Sequence, residues 1–195
     1  LSSLLAQSAN RTGPDNAFGR LFELWKVPYV AGQEDPCTQA VRHGLECVLQ
    51  RGSFGQLRLY NRPVILMLND DEGAPHQVVL SSLGNETARI ELGDKSHDVS
   101  VAELARYWLG DYVLLWKPVT RTVRNLSLGM RGDEVRWVRR SLLELQGAQG
   151  ADPPSDVFDA ELGRLVMDFQ RRNRLSVDGV AGLQTQIVLN GALPG

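Results

Sequence analysis

Hydrophobic and polar positions follow two different patterns along the chain, and the change falls near residue 120. Before it, short runs rich in Val, Ile and Leu are bounded by Gly, Asn, Asp or Pro, which is typical of β-strands. These runs are PVILML (63–68), QVVLSSL (77–83), ARIEL (88–92) and YVLLW (112–116). After residue 120, apolar residues recur every three or four positions, as on one face of an amphipathic helix. The pattern predicts an α+β region followed by a helical region.

Capping and stop residues define the predicted helices. In the first region, Ser100 can cap a helix that Gly110 ends. In the second, a helix capped by Asp133 stops at Gly147, and DAELGRLVMDFQRRNRL and the shorter GLQTQIVLNG follow it. We therefore predict a flexible lead at 1–19, an α+β domain at 20–118, a linker at 119–124 and a three-helix domain at 125–193.

Composition and charge exclude several classes of function. The 195 residues carry a net charge of −2, so the chain lacks the basic surface that nucleic-acid binding requires. No apolar run reaches the ~18 residues of a membrane span. The chain is therefore either cytosolic or the soluble part of a longer protein whose membrane segment lies upstream. The three histidines and two cysteines lack metal-ligand spacing, and we predict neither a metal site nor a cofactor.

The helical domain carries a specific set of turn positions. An Asp178-Gly179 turn follows the second helix, and Gly182 allows the third helix to approach closely. Taken in order, the set resembles the peptidoglycan-binding module at the ends of many cell-wall hydrolases. The matching positions are Leu126, Gly129, Gly132, Phe169, Gln170, Leu175, Val177, Asp178, Gly179, Gly182 and Thr185. The chain departs from that family in DVFDAEL, which predicts a different groove shape near that loop.

The resemblance implies a shallow groove for the stem peptide or glycan of peptidoglycan. The candidate binding residues are Arg131, Gln170, Asp178, Gly179, Gln184 and Thr185. Arg131 would meet a stem-peptide carboxylate through a charge-assisted hydrogen bond, and Asp178 would accept hydrogen bonds from peptide amides. The alternative, in which Asp178 only forms the turn and Gln170 only caps it, stays open.

The first domain places a cysteine where a nucleophile could stand. Cys37 falls in the first turn of a predicted helix, and a helix N-terminus favours a thiolate. His76 before one strand and Asp94 after the next would complete a Cys–His–Asp set, in which the imidazole takes the thiol proton. With RPVILML before the histidine and LARYWLGDYVLLWKP at the close, the domain resembles the papain-like fold of peptidases that process bacteriocin leader peptides.

Two departures from that peptidase family weaken the catalytic interpretation. Thr38 follows Cys37 where the family has Gly, and Gln33 lies four residues before Cys37, whereas the family's oxyanion donor lies about six before. Loss of one oxyanion donor costs roughly 10²–10³-fold in rate. Whether peptidase activity survives is therefore an open question at the level of sequence.

Cys37 and Cys47 have competing uses. On one unbroken helix, their ten-residue separation would span about 15 Å, beyond the roughly 7 Å limit for a disulfide. Gly44, however, is expected to end the helix, so that ECVL can return as a strand beside its start. A disulfide, which an oxidising compartment would favour, then competes with a free catalytic thiol and with two unpaired structural thiols.

The pairing of the two modules is informative. A degenerate papain-like module followed by a peptidoglycan-binding module resembles the periplasmic region of the general secretion pathway protein A family of type II secretion. The resemblance implies a periplasmic, non-catalytic wall-binding protein that helps to place the secretin together with general secretion pathway protein B. It also implies an upstream membrane segment and a cytoplasmic ATPase domain. A steady hold on an immobile polymer would be supplied by modest affinity multiplied by oligomerisation. The alternative function is an active cysteine peptidase acting on a wall peptide or a secretion partner.

Overall fold

The chain divides into two units, Leu1–Lys117 and Pro118–Gly195. The computed structural model describes residues 1–121, 123–148 and 152–193, so residue 122 of the predicted linker lies outside the described residues. None of the described helices is long and apolar enough to cross a membrane.

A six-stranded antiparallel sheet forms the centre of the first unit, in the order β1-β6-β2-β3-β4-β5. Its strands are β1 (Glu46–Arg51), β2 (Val64–Asn69), β3 (Pro75–Leu83), β4 (Thr87–Leu92), β5 (Lys95–Ser100) and β6 (Trp108–Trp116). The four predicted strand runs are confirmed as β2, β3, β4 and β6. ECVL also returns as predicted, because Gly44 adopts a positive φ of 72° and β1 begins two residues later. The sequence pattern missed β5, whose polar residues form an edge of the sheet.

Five α-helices and one short 3-10 turn surround this sheet. They are α1 (Ser2–Gln7), the 3-10 turn (Ala9–Arg11), α2 (Pro14–Leu24), α3 (Pro36–Arg42), α4 (Phe54–Tyr60) and α5 (Val101–Tyr107). Ser100 caps α5 as predicted by accepting a hydrogen bond from the backbone N–H of Glu103 at 3.0 Å. The helix ends at Tyr107 and not at Gly110, because strand β6 begins at Trp108.

Residues 1–19 do not form a flexible lead, and this prediction is corrected. Leu5 in α1 is 0% exposed and Phe18 in α2 is 9% exposed, so both belong to the packed unit. Gly13-Pro14 indicated a loop, but Pro14 occupies the first position of α2, where a missing N–H leaves no hydrogen bond unmade. The following residues Leu21 and Phe22 are fully buried against the sheet residues Ile65, Val79 and Val113.

The described residues of the second unit form three helices, α6 (Asp133–Leu145), α7 (Ala160–Arg172) and α8 (Leu183–Ala192). Gly132 and not Asp133 is the N-cap residue of α6, because the backbone there adopts a φ of 149°. Backbone hydrogen bonds join the segments that precede the three helices, pairing Leu126 with Ala181 and Met130 with Phe158. The loops before all three helices are therefore held together.

Candidate functional site

Cys37 and Cys47 form a disulfide in the first unit. Asp35 caps α3 by accepting a hydrogen bond from the backbone N–H of Thr38 at 2.9 Å, which fixes Cys37 in the first turn. Cys47 lies on β1, and the two Cα atoms are 5.2 Å apart. Of the three uses that the sequence left open, the structure shows the disulfide, and no described cysteine is free. Cys37 therefore has no thiol with which to attack a substrate in this state.

The predicted Cys37–His76–Asp94 set is not assembled. The two ring nitrogens of His76 bind Thr12 and Asp70: Nδ1 lies 2.7 Å from Thr12 Oγ1, and Nε2 lies 3.1 Å from Asp70 Oδ2. Asp94 is exposed in the turn between β4 and β5, because the hairpin register pairs Leu92 with Lys95 across it. The carboxylate that orients His76 is thus Asp70, and the prediction for Asp94 is corrected.

Thr12, His76 and Asp70 form a buried hydrogen-bonded cluster. Each side chain has an exposed fraction of 9% or less. Asp70 Oδ1 also accepts hydrogen bonds from the backbone N–H groups of Glu72 and Ala74, and so closes the β2–β3 hairpin. The order hydroxyl, imidazole, carboxylate is that of a nucleophilic site. Because the hydroxyl is buried, the cluster in this conformation joins the residues before α2 to the hairpin.

Replacing Thr12 with Val should measure what this cluster contributes to stability. The substitution keeps the shape of the side chain but leaves the buried Nδ1 of His76 without its partner, which costs about 1–3 kcal/mol. Urea denaturation followed by circular dichroism gives the change in the free energy of unfolding. Thr87→Val, at the exposed start of β4, serves as the control, and we expect less than about 0.5 kcal/mol there. Equal effects of the two substitutions would contradict a structural role for the cluster.

The pKa of Asp70 is lowered from its ordinary value of 3.8, first by the hydrogen bond from His76 and further by the backbone N–H groups of Ala74 and Glu72. A carboxyl group with a lower pKa in the folded state stabilises the fold above its unfolded pKa, and the contribution is lost as pH falls through the folded value. We therefore expect Asp70→Asn to make the free energy of unfolding less dependent on pH below about pH 4. Unfolding curves collected between pH 2 and 7 check this, and an unchanged acid limb would contradict it.

In the second unit, Gln170 lies inside the molecule. Its side chain is 1% exposed, and its Oε1 accepts hydrogen bonds from the backbone N–H groups of Asp178 and Gly179 at 3.1 and 3.0 Å. Its Nε2 donates to Asp178 Oδ1, the backbone carbonyl of Val180 and Thr185 Oγ1 at 2.8–3.2 Å. Thr185 is 5% exposed. The prediction that the Gln170 and Thr185 side chains contact the polymer is therefore corrected. Because both side chains are buried, they have a structural role inside the unit.

The other candidate binding residues lie at or near the surface. The Arg131 side chain is 68% exposed and forms an ion pair with Asp156 at 3.4 Å. An ion pair this exposed to solvent contributes little to stability. Asp178 is exposed, and Gly179 and Gln184 are half-buried. These four residues remain predictions of ligand contact. No group of three or more His, Cys, Asp or Glu side chains within the described ranges is arranged to hold a metal ion.

Both units match known protein families. Residues 3–118 match the family model described as "GspA, peptidase C39-like domain". Residues 131–189 match the family model described as "Putative peptidoglycan binding domain". The first match covers more than half of the chain, and the second covers most of the three-helix unit.

Two curated relatives are similar over nearly the whole chain. General secretion pathway protein A of Aeromonas hydrophila is 30% identical over 177 residues, which is 91% of this chain and 32% of the relative. A protein of Escherichia coli strain K12 described as "Putative general secretion pathway protein A" is 28% identical over 174 residues, which is 89% of this chain and 35% of the relative. The chain therefore spans about a third of the length of these relatives.

One solved structure shares the fold of both units. It is a periplasmic domain of the EpsAB fusion protein from the Vibrio vulnificus type II secretion system, with a TM-score of 0.60 and 22% sequence identity. The similarity covers 94% of this chain and 81% of that one. At this identity, the similarity concerns the fold.

Proposed function

The chain belongs to the GspA, peptidase C39-like domain family, and on that premise we propose that it anchors a type II secretion assembly to the cell wall. The three-helix unit holds peptidoglycan, and the C39-like unit is the scaffold that carries it. The names of the curated relatives and the peptidoglycan-binding family match to residues 131–189 support this proposal.

The exposed groups before α6 and α8 are the observation that carries the proposal. Arg131 presents a guanidinium with most of its surface exposed, and Asp178 presents a carboxylate on the turn before α8. A guanidinium suits a stem-peptide carboxylate, and a carboxylate accepts from amide N–H and sugar O–H groups. Backbone hydrogen bonds between the loops hold both groups on a fixed frame.

The charges of the two units differ in a way that fits this division of roles. Residues 118–195 carry ten arginines, no lysine and nine acidic residues, for a net charge of +1. Residues 1–117 carry eleven basic and fourteen acidic residues, for a net charge of −3. Arginine binds carboxylates through a planar fork of donors, whereas lysine acts as a point charge. The three-helix unit therefore has the residue type that suits the carboxylates of a wall peptide.

In the first unit, the nucleophile required by the alternative peptidase function, Cys37, is part of a disulfide. Attack by Cys37 would require a free thiol, and its sulfur is bonded to Cys47. Disulfides form and persist in oxidising compartments, so the Cys37–Cys47 bond supports placement in the periplasm. We further propose that the chain is part of a longer inner-membrane protein that helps to place the secretin together with general secretion pathway protein B.

Oligomerisation would strengthen such an anchor. Several modest wall contacts on one assembly give an avidity far above that of each module, because the second contact forms at a high effective concentration. Cross-linking in cells with an intact type II secretion system tests the partners. Absence of any product with the secretin or with general secretion pathway protein B would remove this part of the proposal.

Sedimentation with purified peptidoglycan sacculi tests wall binding by the full chain. We expect retention on sacculi and none on chitin, an insoluble polymer without stem peptides. Arg131→Gln should weaken retention about tenfold, since one hydrogen bond to a charged group is worth about 1.5–3 kcal/mol. Arg172→Gln, at the exposed end of α7, is the matched control and should bind as the unmodified chain does. Equal retention of the unmodified chain on chitin and sacculi would contradict the proposal.

A further inference from the structure

We propose that Gln170 is a positioning residue for wall binding, which presents the Asp178–Gly179 turn to the polymer in one fixed shape. The inference rests on the proposed function of the three-helix unit. It assigns the ligand contact to an exposed acceptor, the outer carboxylate oxygen of Asp178, and assigns the orientation of that oxygen to a buried amide.

The side chain of Gln170 is not needed to end α7. The end of this helix is closed by backbone hydrogen bonds, from Asn173 N–H to the carbonyl of Phe169 and from Leu175 N–H to the carbonyl of Gln170. Arg174 has a φ of 56°, which turns the chain away from the helix axis. The amide of Gln170 therefore acts on a separate segment, eight to ten residues further along the chain.

Within the described residues, four of the five hydrogen bonds of the Gln170 side chain hold that segment, and the fifth reaches Thr185 on α8. Its oxygen accepts from two successive backbone N–H groups, and its nitrogen donates to Asp178, Val180 and Thr185. Gly179 reinforces the shape because its φ is 72°, a left-handed conformation that other residues rarely adopt. The turn is thus held by the buried side chain of Gln170 on α7 and by the left-handed backbone at Gly179.

The two carboxylate oxygens of Asp178 have different tasks. Oδ1 accepts hydrogen bonds from Gln170 Nε2 at 2.8 Å and from the backbone N–H of Val180 at 2.9 Å. Oδ2 has no hydrogen bond to any described residue, and the side chain is exposed. Because one oxygen is fixed internally, the other is offered in one orientation to an N–H or O–H donor. Such preorganisation raises affinity by reducing the ordering cost of binding.

A pair of matched substitutions tests this assignment. Gln170→Met keeps the length of the buried side chain and removes all of its hydrogen bonds. Gln186→Met is the control: Gln186 is 2% exposed, and its Nε2 donates to the carbonyls of Arg124 and Ala181, so it joins the segment before α6 to the residue that follows the turn, and its side chain donates to none of residues 178–180. Sacculus affinity is measured well below the melting temperature of each variant. Amide hydrogen exchange at residues 178–180 is measured alongside it.

We expect Gln170→Met to weaken sacculus binding about tenfold and to accelerate exchange at residues 178–180, whereas Gln186→Met does neither. Asp178→Asn should weaken binding by a similar factor, and its melting temperature should stay above the temperature of the binding assay. Equal affinity losses for Gln170→Met and Gln186→Met, or full binding by Asp178→Asn, would overturn the inference. Failure of the unmodified chain to bind sacculi would instead overturn the proposed function.

Discussion

Removal of the disulfide is expected to lower the free energy of unfolding of the first unit by about 3 kcal/mol. The bond closes a loop between residues ten positions apart, and a closed loop restricts the unfolded chain. It also joins α3 to β1, an edge strand of the sheet that pairs only with β6. The variant with Cys37→Ser and Cys47→Ser, compared with the unmodified chain in urea, gives the magnitude.

Reductant provides the control for this prediction. Dithiothreitol should shift the unfolding midpoint of the unmodified chain toward that of the double serine variant and leave the variant unchanged. Thiol titration of the denatured, non-reduced chain should find no free thiol. Two titratable thiols, or an unfolding midpoint of the unmodified chain that does not change with reductant, would contradict the disulfide. Either result would reopen the cysteine-peptidase hypothesis.

Replacing Phe158 with Ala is expected to unfold the three-helix unit and to abolish sacculus binding. Phe158 is 1% exposed, and truncation of a buried Phe costs about 3–5 kcal/mol. A single core in a unit of this size supplies about 3–5 kcal/mol in total, so the loss equals the whole stability of the unit. The same residue carries the backbone pairing with Gly129 and Met130, which holds the loop that includes Arg131.

Calorimetry and sacculus sedimentation on the same sample check this second prediction. The transition of the first unit should persist, while that of the second and the wall binding disappear together. Leu128→Ala, at a side chain that is 70% exposed in the same loop, should leave the second transition in place. Retention of binding by a sample that has lost the second transition would show that the polymer binds elsewhere.

Periodicity was sufficient to predict most of the sheet and the three helices of the second unit. The predicted runs of Val, Ile and Leu became β2, β3, β4 and β6 because each is buried on at least one face. The strand β5 and the helix α1 were not predicted because each is short, and because β5 is mostly polar, with Val99 as its one apolar residue. Local pattern carries little information on such elements.

Long-range contacts explain why the candidate site was only partly predictable. His76 was identified from the sequence, but its partners Thr12 and Asp70 were not, because a separation of 64 residues between Thr12 and His76 leaves no local signal. A Gly-Pro pair after Thr12, which marks a helix start, was the available hint. Asp94 was chosen for its place after a strand, whereas hairpin register carries it to an exposed turn.

Burial was the second missing quantity. The motif around residues 169–185 identified Gln170, Asp178 and Thr185 together, because a motif does not distinguish residues that bind from residues that support them. The structure separates the exposed Asp178 from the buried Gln170 and Thr185. That separation changes which substitutions are expected to affect affinity directly and which act through the shape of the turn.

The most direct test of wall binding by the three-helix unit is an NMR titration of the isotopically labelled full chain with soluble muropeptides. We expect saturable shifts in the amide signals of Arg131, residues 177–180 and Gln184, with the signals of residues 1–117 unchanged. Shifts confined to the first unit, or no saturable shift at millimolar muropeptide, would contradict the account.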